Sequence, residues 1–245
     1  MLLAVDIGNS AIKFGLFEGE VLTSKFSIPT KRDAAADEIN RAVGDRLGTA
    51  FNSAIVCSVV PELDGAMLSF LREAIGSEPT FVNNSFDFGL RINYEPLESL
   101  GTDRLVAAYS AVQKYGAPCI VCSLGTATTI DVVNADRGFL GGLIAPGLEA
   151  MAEALHIRAA KLPHVEPTRP KHVLGNSTVE AIRSGVYYGY VAMVEGLITR
   201  IRTESGVSRI IATGGNASRL ASELSGIVSV DEDLLLNGLS ALYRK

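Results

Sequence analysis

The chain has 245 residues, of which 47% are hydrophobic, and a formal net charge of −5. This length suits one large domain or two domains of roughly 120 residues each. The lysines and arginines are scattered, which argues against a nucleic-acid-binding surface. No apolar run approaches the ~20 residues of a membrane span, so we expect no membrane association. The N-terminus leads into a strand without a basic leader, which predicts a cytoplasmic protein without a signal peptide.

The cysteine pattern predicts buried thiols. The chain has three cysteines, an odd number that makes a disulfide framework unsuitable. Cys119 and Cys122 form a C-x-x-C spacing, but they fall within an apolar run typical of a strand. Residues three apart on a strand point to opposite faces, so these two thiols are poorly placed to share a metal. The histidines show no zinc-binding spacing either, and we predict no zinc site.

The first stretch predicts a strand, a tight turn and a returning strand. Residues 2–7 are mostly apolar, Gly8-Asn9-Ser10 has the composition of a turn, and apolar residues then alternate from Ile12 onwards. Asp6 lies at the strand end and Lys13 lies on the returning strand. Backbone N–H groups and an ammonium suit phosphate oxygens, and a carboxylate suits their metal. An ordinary hairpin with a turn-forming aspartate is the alternative.

Strands and helices then alternate along the chain. Further strands are predicted at 26–29, 54–60, 80–82, 90–94, 120–124, 130–133, 139–144 and 209–213. Helices are predicted at 31–47, 63–75, 96–115 with an interruption at 101–104, 147–155, 178–202 and after 217. Because the opening strand–turn–strand pattern returns after residue 116, we predict two similar α/β domains, 1–116 and 117–245, that face each other across a cleft.

Two more turns of small residues follow predicted strands, at 125–129 and 213–217. Strand ends are where ligands bind in α/β sheets, so the three turns together suit a nucleotide. Taken alone, Gly214-Gly215 is equally typical of a helix entry. Thr126, Thr128 and Thr129 also suit ordinary strand positions.

The tetrad Gly101-Thr102-Asp103-Arg104 is the most informative interior motif. The glycine allows close approach, the aspartate can accept a hydroxyl proton, and the arginine can bind a carboxylate or phosphate through two hydrogen bonds. An aspartate orienting an alcohol for attack on a γ-phosphate fits phosphoryl transfer. The alternative is a helix start with Asp103 in its first turn.

These residues resemble the type III pantothenate kinases over nearly the whole chain. The matching segments are 6–10, 101–104, 125–129, 141–147, 153–155, 159–163 and 212–215. The resemblance implies two ribonuclease-H-like domains of the sugar kinase, chaperone ATPase and actin superfamily. It also implies a homodimer that uses ATP and Mg²⁺ to convert pantothenate to 4'-phosphopantothenate, the first step of coenzyme A biosynthesis.

The resemblance assigns roles to individual residues. It implies ATP contacts from Asp6, Ile7, Gly8, Asn9, Ser10, Ala11, Ile12, Lys13 and Thr126. The pattern of the three turns adds the pair Gly214 and Gly215, near the nucleotide base. It implies pantothenate contacts from Tyr94, Gly101, Thr102, Asp103, Arg104 and Thr178. Asp103 is implied as the proton acceptor, and Asp6 as the residue that holds Mg²⁺ through water.

One position departs from the family pattern. Ser123 stands where many members have an aspartate that binds a monovalent cation, which puts a K⁺ or NH₄⁺ site in doubt. Asp131 is a nearby carboxylate, but nothing in the sequence transfers the role to it. Two rival functions remain at this stage, a ligand-sensing accessory protein for transcription and a sugar or acetate kinase of the same superfamily.

Overall fold

A computed structural model, which describes residues 1–47 and 51–245, divides the chain into two compact units. The first unit contains Met1–Lys114 together with Asp233–Lys245, and the second contains Tyr115–Glu232. No helix in the described parts of the chain is long and apolar enough to cross a membrane.

The first unit is built on a mixed sheet. Its strands are β1 (Leu2–Ile7), β2 (Ala11–Glu18), β3 (Val21–Pro29), β4 (Ser53–Ser58) and β5 (Thr80–Phe81). The unit also contains the two-residue strand β6 (Arg91–Ile92), which lies outside this sheet. The sheet order is β3-β2-β1-β4-β5, in which β1 pairs antiparallel with β2 and parallel with β4. β1 is buried along its whole length, as its continuous apolar run predicts for a central strand. Because β1 and β4 are parallel neighbours, their C-terminal ends lie side by side.

Helices cover this sheet with apolar stripes. They are α1 (Ala36–Leu47), α2 (Pro61–Ile75), α3 (Thr102–Tyr115) and α7 (Leu234–Tyr243), with a single 3-10 turn at Leu97–Ser99. The buried residues of α1 recur every four positions, at Ile39, Val43 and Leu47. α2 ends, as its sequence predicts, at a left-handed Gly76 whose N–H donates to the Arg72 carbonyl at 3.0 Å.

The second unit repeats the arrangement of the first. Its strands are β7 (Cys119–Leu124), β8 (Ala127–Val133), β9 (Gly138–Pro146), β10 (Ile210–Thr213) and β11 (Ile227–Val230), and its helices are α4 (Leu148–Arg158), α5 (Thr178–Ser205) and α6 (Ala217–Leu220). These strands follow the order β11-β10-β7-β8-β9. In both units a three-stranded antiparallel meander is extended by two parallel strands. The prediction of two similar α/β halves is confirmed.

Two details of the predicted organisation need correction. The predicted second half, 117–245, includes residues 233–245, but α7 packs on β1, β2 and β4 of the first unit. The apolar face of α7 completes a core that begins at the other end of the chain.

The tetrad at 101–104 does not interrupt a helix, because the helix α3 begins at Thr102. Asp103 thus lies in a first helical turn, as the alternative interpretation of the tetrad predicted.

Candidate active site

Asp6 and Lys13 face each other across the hairpin that opens the chain. They are directly paired in the β1–β2 register, and the Lys13 Nζ lies 3.7 Å from the Asp6 Oδ2. Asp6 is only 6% exposed. Burial raises its pKa to about 6, and the Lys13 ammonium limits this rise while the charge of Asp103 adds to it. The opening hairpin therefore holds a carboxylate that is poorly compensated by its protein surroundings.

The turn between the two strands is closed by the Gly8 N–H, which donates to the Ala11 carbonyl at 3.1 Å. Of the predicted ATP-contacting residues around it, Ile7 and Ile12 bury their side chains in the core. These two can contribute only backbone groups to a ligand. Asn9 and Ser10 are exposed at the tip of the turn.

The N-terminus of α3 presents the tetrad. The Asp103 Oδ1 accepts a hydrogen bond from the Arg104 N–H at 2.9 Å, which fixes the carboxylate against the helix end. A Cβ atom on Gly101 would lie 2.5 Å from that same oxygen, so a side chain at this position would displace the carboxylate. The Thr102 hydroxyl donates to the Asn84 Oδ1 at 2.9 Å and ties the helix start to the preceding loop.

Asp103 is electrostatically coupled to the hairpin. Burial raises its pKa, against the lowering effects of the Arg104 N–H and guanidinium and of the Lys13 ammonium. Cys57 is paired with Asp6 in the β1–β4 register. Burial raises the pKa of its thiol, and the charges of Asp6 and Asp103 raise it further. Asp6, Lys13 and Asp103 therefore share one region of the first unit.

Tyr94 and Arg104 form a second pair beside the tetrad. The Arg104 guanidinium carbon lies 5.6 Å from the centre of the Tyr94 ring, within the range of a cation–π contact. Arg104 is 6% exposed, so its charge is held in a largely desolvated position. A buried guanidinium of this kind suits a carboxylate ligand.

The second unit holds a comparable turn between β7 and β8. The Gly125 N–H donates to the Ala127 carbonyl at 3.2 Å, and the Gly147 N–H donates to the Thr126 carbonyl at 3.2 Å. A Cβ on Gly147 would overlap the carbonyl oxygens of Gly125 and Thr126. Gly147 caps the N-terminus of α4, so this glycine brings that helix end against the turn.

The turn after β10 lies against the C-terminal end of β7, where the β7–β8 turn begins. The Asn216 N–H donates to the Leu124 carbonyl at 3.0 Å, and a Cβ on Gly214 would lie 2.6 Å from that carbonyl oxygen. The structure thus brings Thr126 and Gly214 to the ends of neighbouring strands, as predicted. Gly215 is exposed and has no neighbouring atom within 4 Å of a built Cβ.

Other predicted positions of the second unit fall in different surroundings. Thr128 is fully buried, and its hydroxyl lies 2.7 Å from that of Tyr190, so the strand interpretation holds for it. Ser123 pairs with Thr129 and Thr213 in the sheet. Thr178 is exposed at the start of α5, next to Ser177, whose hydroxyl accepts a hydrogen bond from the Glu180 N–H.

Asp131 is unsuited to replace a carboxylate at Ser123. It is 2% exposed and lies two residues further from the turn. Burial, together with the charge of Asp131, raises the pKa of the Cys122 thiol to about 12. Cys119 and Cys122 are both free and buried, as predicted.

Several contacts of the site carry no signal in the sequence pattern. Thr30 and Arg32, beyond β3, bond to the turn at residues 8–10. In the second unit, Glu149 accepts hydrogen bonds from Asn216 at 2.8 Å and from Arg219 at 2.9 Å. In these four pairs the two partners are separated by 22, 23, 67 and 70 residues in the sequence. Neither periodicity nor composition is informative over such separations.

Comparison with known proteins shows the family to which this chain belongs. The model of the type III pantothenate kinase family matches residues 2–200. A type III pantothenate kinase from Brevibacillus brevis is 39% identical, with 100% of this chain and 99% of the relative covered. Another, from Paramagnetospirillum magneticum, is 40% identical, with 100% and 97% covered. The chain belongs to the type III pantothenate kinase family.

Membership makes this protein a kinase that uses ATP to phosphorylate pantothenate in coenzyme A biosynthesis. Solved structures show the fold expected for the family. A ROK family glucokinase from Streptomyces griseus is 14% identical, with a TM-score of 0.55 and coverage of 98% of this chain and 97% of that chain. A candidate Baf family transcriptional activator from Campylobacter jejuni is 20% identical, with a TM-score of 0.62 and coverage of 99% and 97%. At these identities both likenesses concern the fold alone.

Proposed function

We propose that Asp103 is the general base that accepts the proton of the pantothenate primary hydroxyl as this oxygen attacks the γ-phosphorus of ATP. A new P–O bond forms to the hydroxyl oxygen, the bond between the γ-phosphorus and the β–γ bridging oxygen breaks, and ADP leaves. The products are 4'-phosphopantothenate, ADP and a proton held by Asp103. The observation that supports this proposal is the coupling of Asp103, Asp6 and Lys13 in one region of the first unit.

The state of Asp103 suits this role. Its raised pKa makes it a stronger base than an exposed aspartate, since burial disfavours the charged form. The bond from the Arg104 N–H fixes its orientation, and Gly101 leaves the space that the carboxylate occupies. Positioning and charge are what phosphoryl transfer chiefly requires from a protein.

The ATP phosphates are assigned to the turn at residues 8–10 and to Lys13. Lys13 offers an ammonium that is about two-fifths exposed, so it is accessible to phosphate oxygens. In the second unit we assign Thr126, Gly214 and Gly215 to the nucleotide, because the first two meet at neighbouring strand ends and Gly215 follows directly.

The residues present also fit Mg²⁺. Asp6 is a hard oxygen donor, which Mg²⁺ prefers, and its pKa is raised mainly because burial leaves the carboxylate charge poorly solvated, a cost that a bound cation would reduce. Asp6 would hold the ion through water. When bound, Mg²⁺ would neutralise charge on the phosphates.

Pantothenate is assigned to Tyr94, the tetrad 101–104 and Thr178. The buried Arg104 guanidinium offers a partner for the pantothenate carboxylate, and Tyr94 lies beside it.

We also propose a cytoplasmic homodimer. Support comes from the family resemblance and from exposed apolar side chains of the second unit, among them Ile157 at 67% and Leu174 at 89% exposure. Sedimentation of the purified protein tests the dimer.

Release of ADP by the purified protein tests the function, with pantothenate, glycerol, acetate and simple sugars as acceptors in parallel. We expect rapid ADP release with pantothenate alone, and formation of phosphopantothenate detected by its mass. Efficient phosphorylation of another acceptor with no phosphopantothenate would overturn the assignment of pantothenate as the acceptor. Failure of all acceptors, with tight binding of pantothenate, would favour the rival role as a ligand sensor.

A further inference from the structure

Thr30 makes two hydrogen bonds to the turn that follows β1. Its hydroxyl donates to the Gly8 carbonyl at 2.6 Å, and its backbone N–H donates to the Ser10 carbonyl at 3.1 Å. Thr30 directly follows β3 and is half-buried. The Gly8 and Ser10 carbonyls are therefore both held toward Thr30.

The direction of a carbonyl fixes the direction of the next N–H group. In a planar trans peptide the C=O and N–H bonds point to opposite sides. The bond to the Gly8 carbonyl therefore aims the Asn9 N–H away from Thr30, and the bond to the Ser10 carbonyl does the same for the Ala11 N–H. An anion-binding turn works only when its N–H groups are presented to the ligand in this way.

Arg32 makes a further contact to this turn. Its guanidinium donates to the Asn9 Oδ1 at 2.7 Å and to the Glu62 carboxylate at 3.1 Å. Glu62 lies in the first turn of α2, so Arg32 links the tip of the turn to this helix. The Asn9 side chain is thereby held by contacts outside the hairpin itself.

We infer that Thr30 is a positioning residue for phosphate binding, which presents the N–H groups of Asn9 and Ala11 to the β- and γ-phosphates of ATP. This inference rests on the proposed function for the identity of the ligand. It adds a residue to which neither the sequence pattern nor the family resemblance assigns a role. Arg32 supports the same arrangement.

The hydroxyl of Thr30 can be tested separately from its backbone bond. Thr30→Val keeps the shape and the N–H but removes the bond to the Gly8 carbonyl, and Thr30→Ser restores that bond. Thr23→Val is a matched control, because the Thr23 hydroxyl donates to the Leu16 carbonyl at 3.1 Å within the same strand pair, at a distance from the turn. Thr30→Ala is a second variant that lacks the hydroxyl and adds no bulk.

The dissociation constants of ADP and adenosine, measured by calorimetry in the presence of Mg²⁺, decide the question. We expect Thr30→Val and Thr30→Ala to weaken ADP binding about three- to tenfold, the usual effect of one hydrogen bond, and to leave adenosine binding within twofold. Thr30→Ser and Thr23→Val should resemble the unmodified protein. Unchanged ADP binding in Thr30→Val, or an equal loss for adenosine, would overturn the inference. Binding needs no turnover, so a protein that binds ADP normally but forms no phosphopantothenate would refute only the proposed function.

Discussion

Asp6 and Asp103 are carboxylates whose burial raises their pKa, and they share a limited amount of positive charge. The pKa of Asp6 rises to about 6, and that of Asp103 rises as well. Lys13 lowers both, but it does not cancel the cost of burial. Such strained electrostatics is typical of sites that bind a cation or a charged substrate.

The first prediction concerns the pH dependence of stability. Because the folded protein holds the Asp6 proton more tightly than the unfolded chain, the contribution of this group is fully present below pH 3.8 and is lost as the pH rises through about 6. Replacing Asp6 by asparagine removes this loss. We expect the free energy of unfolding of Asp6→Asn to rise relative to that of the unmodified protein by up to about 3 kcal/mol between pH 4 and pH 7.

Urea unfolding at a series of pH values, without nucleotide or metal, measures this difference. Asp87→Asn is the control, because Asp87 is exposed and a hydrogen bond from Lys245 lowers its pKa. It should not show the rise with pH. A stability difference for Asp6→Asn that is constant from pH 4 to pH 7 would contradict the account of Asp6.

The second prediction concerns the monovalent cation. Ser123 supplies a neutral hydroxyl where an aspartate would supply charge, and the buried Asp131 is not placed to compensate. We predict weak or absent activation by K⁺ or NH₄⁺, and stronger activation in Ser123→Asp. Each 1.4 kcal/mol of net attraction gained would tighten cation binding about tenfold.

Titration of turnover with K⁺ against a choline background, in both proteins, tests this prediction. Ser123→Asn is the matched control, since it adds similar bulk without the charge. Strong saturable activation of the unmodified enzyme at low millimolar K⁺ would refute the prediction. Other oxygens would then complete a cation site.

At the scale of elements, the turn after β10 distinguishes two adjacent glycines. Gly214 has a φ of +94°, and a Cβ there would lie 2.6 Å from the Leu124 carbonyl oxygen, whereas Gly215 has open space. We predict that Gly214→Ala lowers the free energy of unfolding by about 1–3 kcal/mol. Gly215→Ala should change it by less than about 0.5 kcal/mol.

Chemical unfolding of the two variants gives the comparison directly. Nucleotide binding measured alongside separates their roles further, since Gly215 is exposed at the strand end and Gly214 packs against β7. Equal stability of the two alanine variants would show that the close approach of Gly214 to Leu124 is unimportant.

Elements with strong local patterns were predictable from the sequence. The opening hairpin was predicted because its alternation and turn composition are local, and α5 was predicted from its long apolar stripe. The break assigned at 101–104 was wrong, because a glycine before a helix resembles a glycine that interrupts one. α7 was not assigned to the first unit, because its packing partners lie more than 170 residues away in the sequence.

The same distinction applies to the site. Strand ends and small-residue turns indicated where Asp6, Lys13 and Thr126 lie. The residues that hold those turns in place could not be found in this way. Thr30 and Glu149 each form a side-chain hydrogen bond to a turn, and these bonds join residues at no fixed separation in the sequence. Such contacts depend on how the elements pack.

At the scale of the whole molecule, the two units repeat one strand order and each carries a turn of small residues after its first strand. Among the described residues, the first unit has the buried Asp6 beside this turn, with Lys13 on the returning strand 3.7 Å away. Asp131 of the second unit is buried too, but it lies away from the turn. We therefore propose that the chemical step depends on residues of the first unit.

The fourth prediction tests this assignment through Asp103→Asn. The amide keeps the size of the side chain but cannot accept the hydroxyl proton as a carboxylate does. Turnover should fall by about 10²–10⁴, the usual contribution of a positioned acid–base group. Dissociation constants for ATP and pantothenate should stay within a few-fold. Asp37→Asn, in the exposed first turn of α1, is the matched control and should keep full activity.

The most direct test is the rate of phosphopantothenate formation in a single turnover, with the unmodified protein and Asp103→Asn compared at saturating ATP and pantothenate. Saturation removes differences in binding, so the rate reports the chemical step. We expect rapid formation in the unmodified protein and a rate lower by about 10²–10⁴ in the variant. Near-normal formation in Asp103→Asn would contradict it and would leave Asp103 with a structural role at the start of α3.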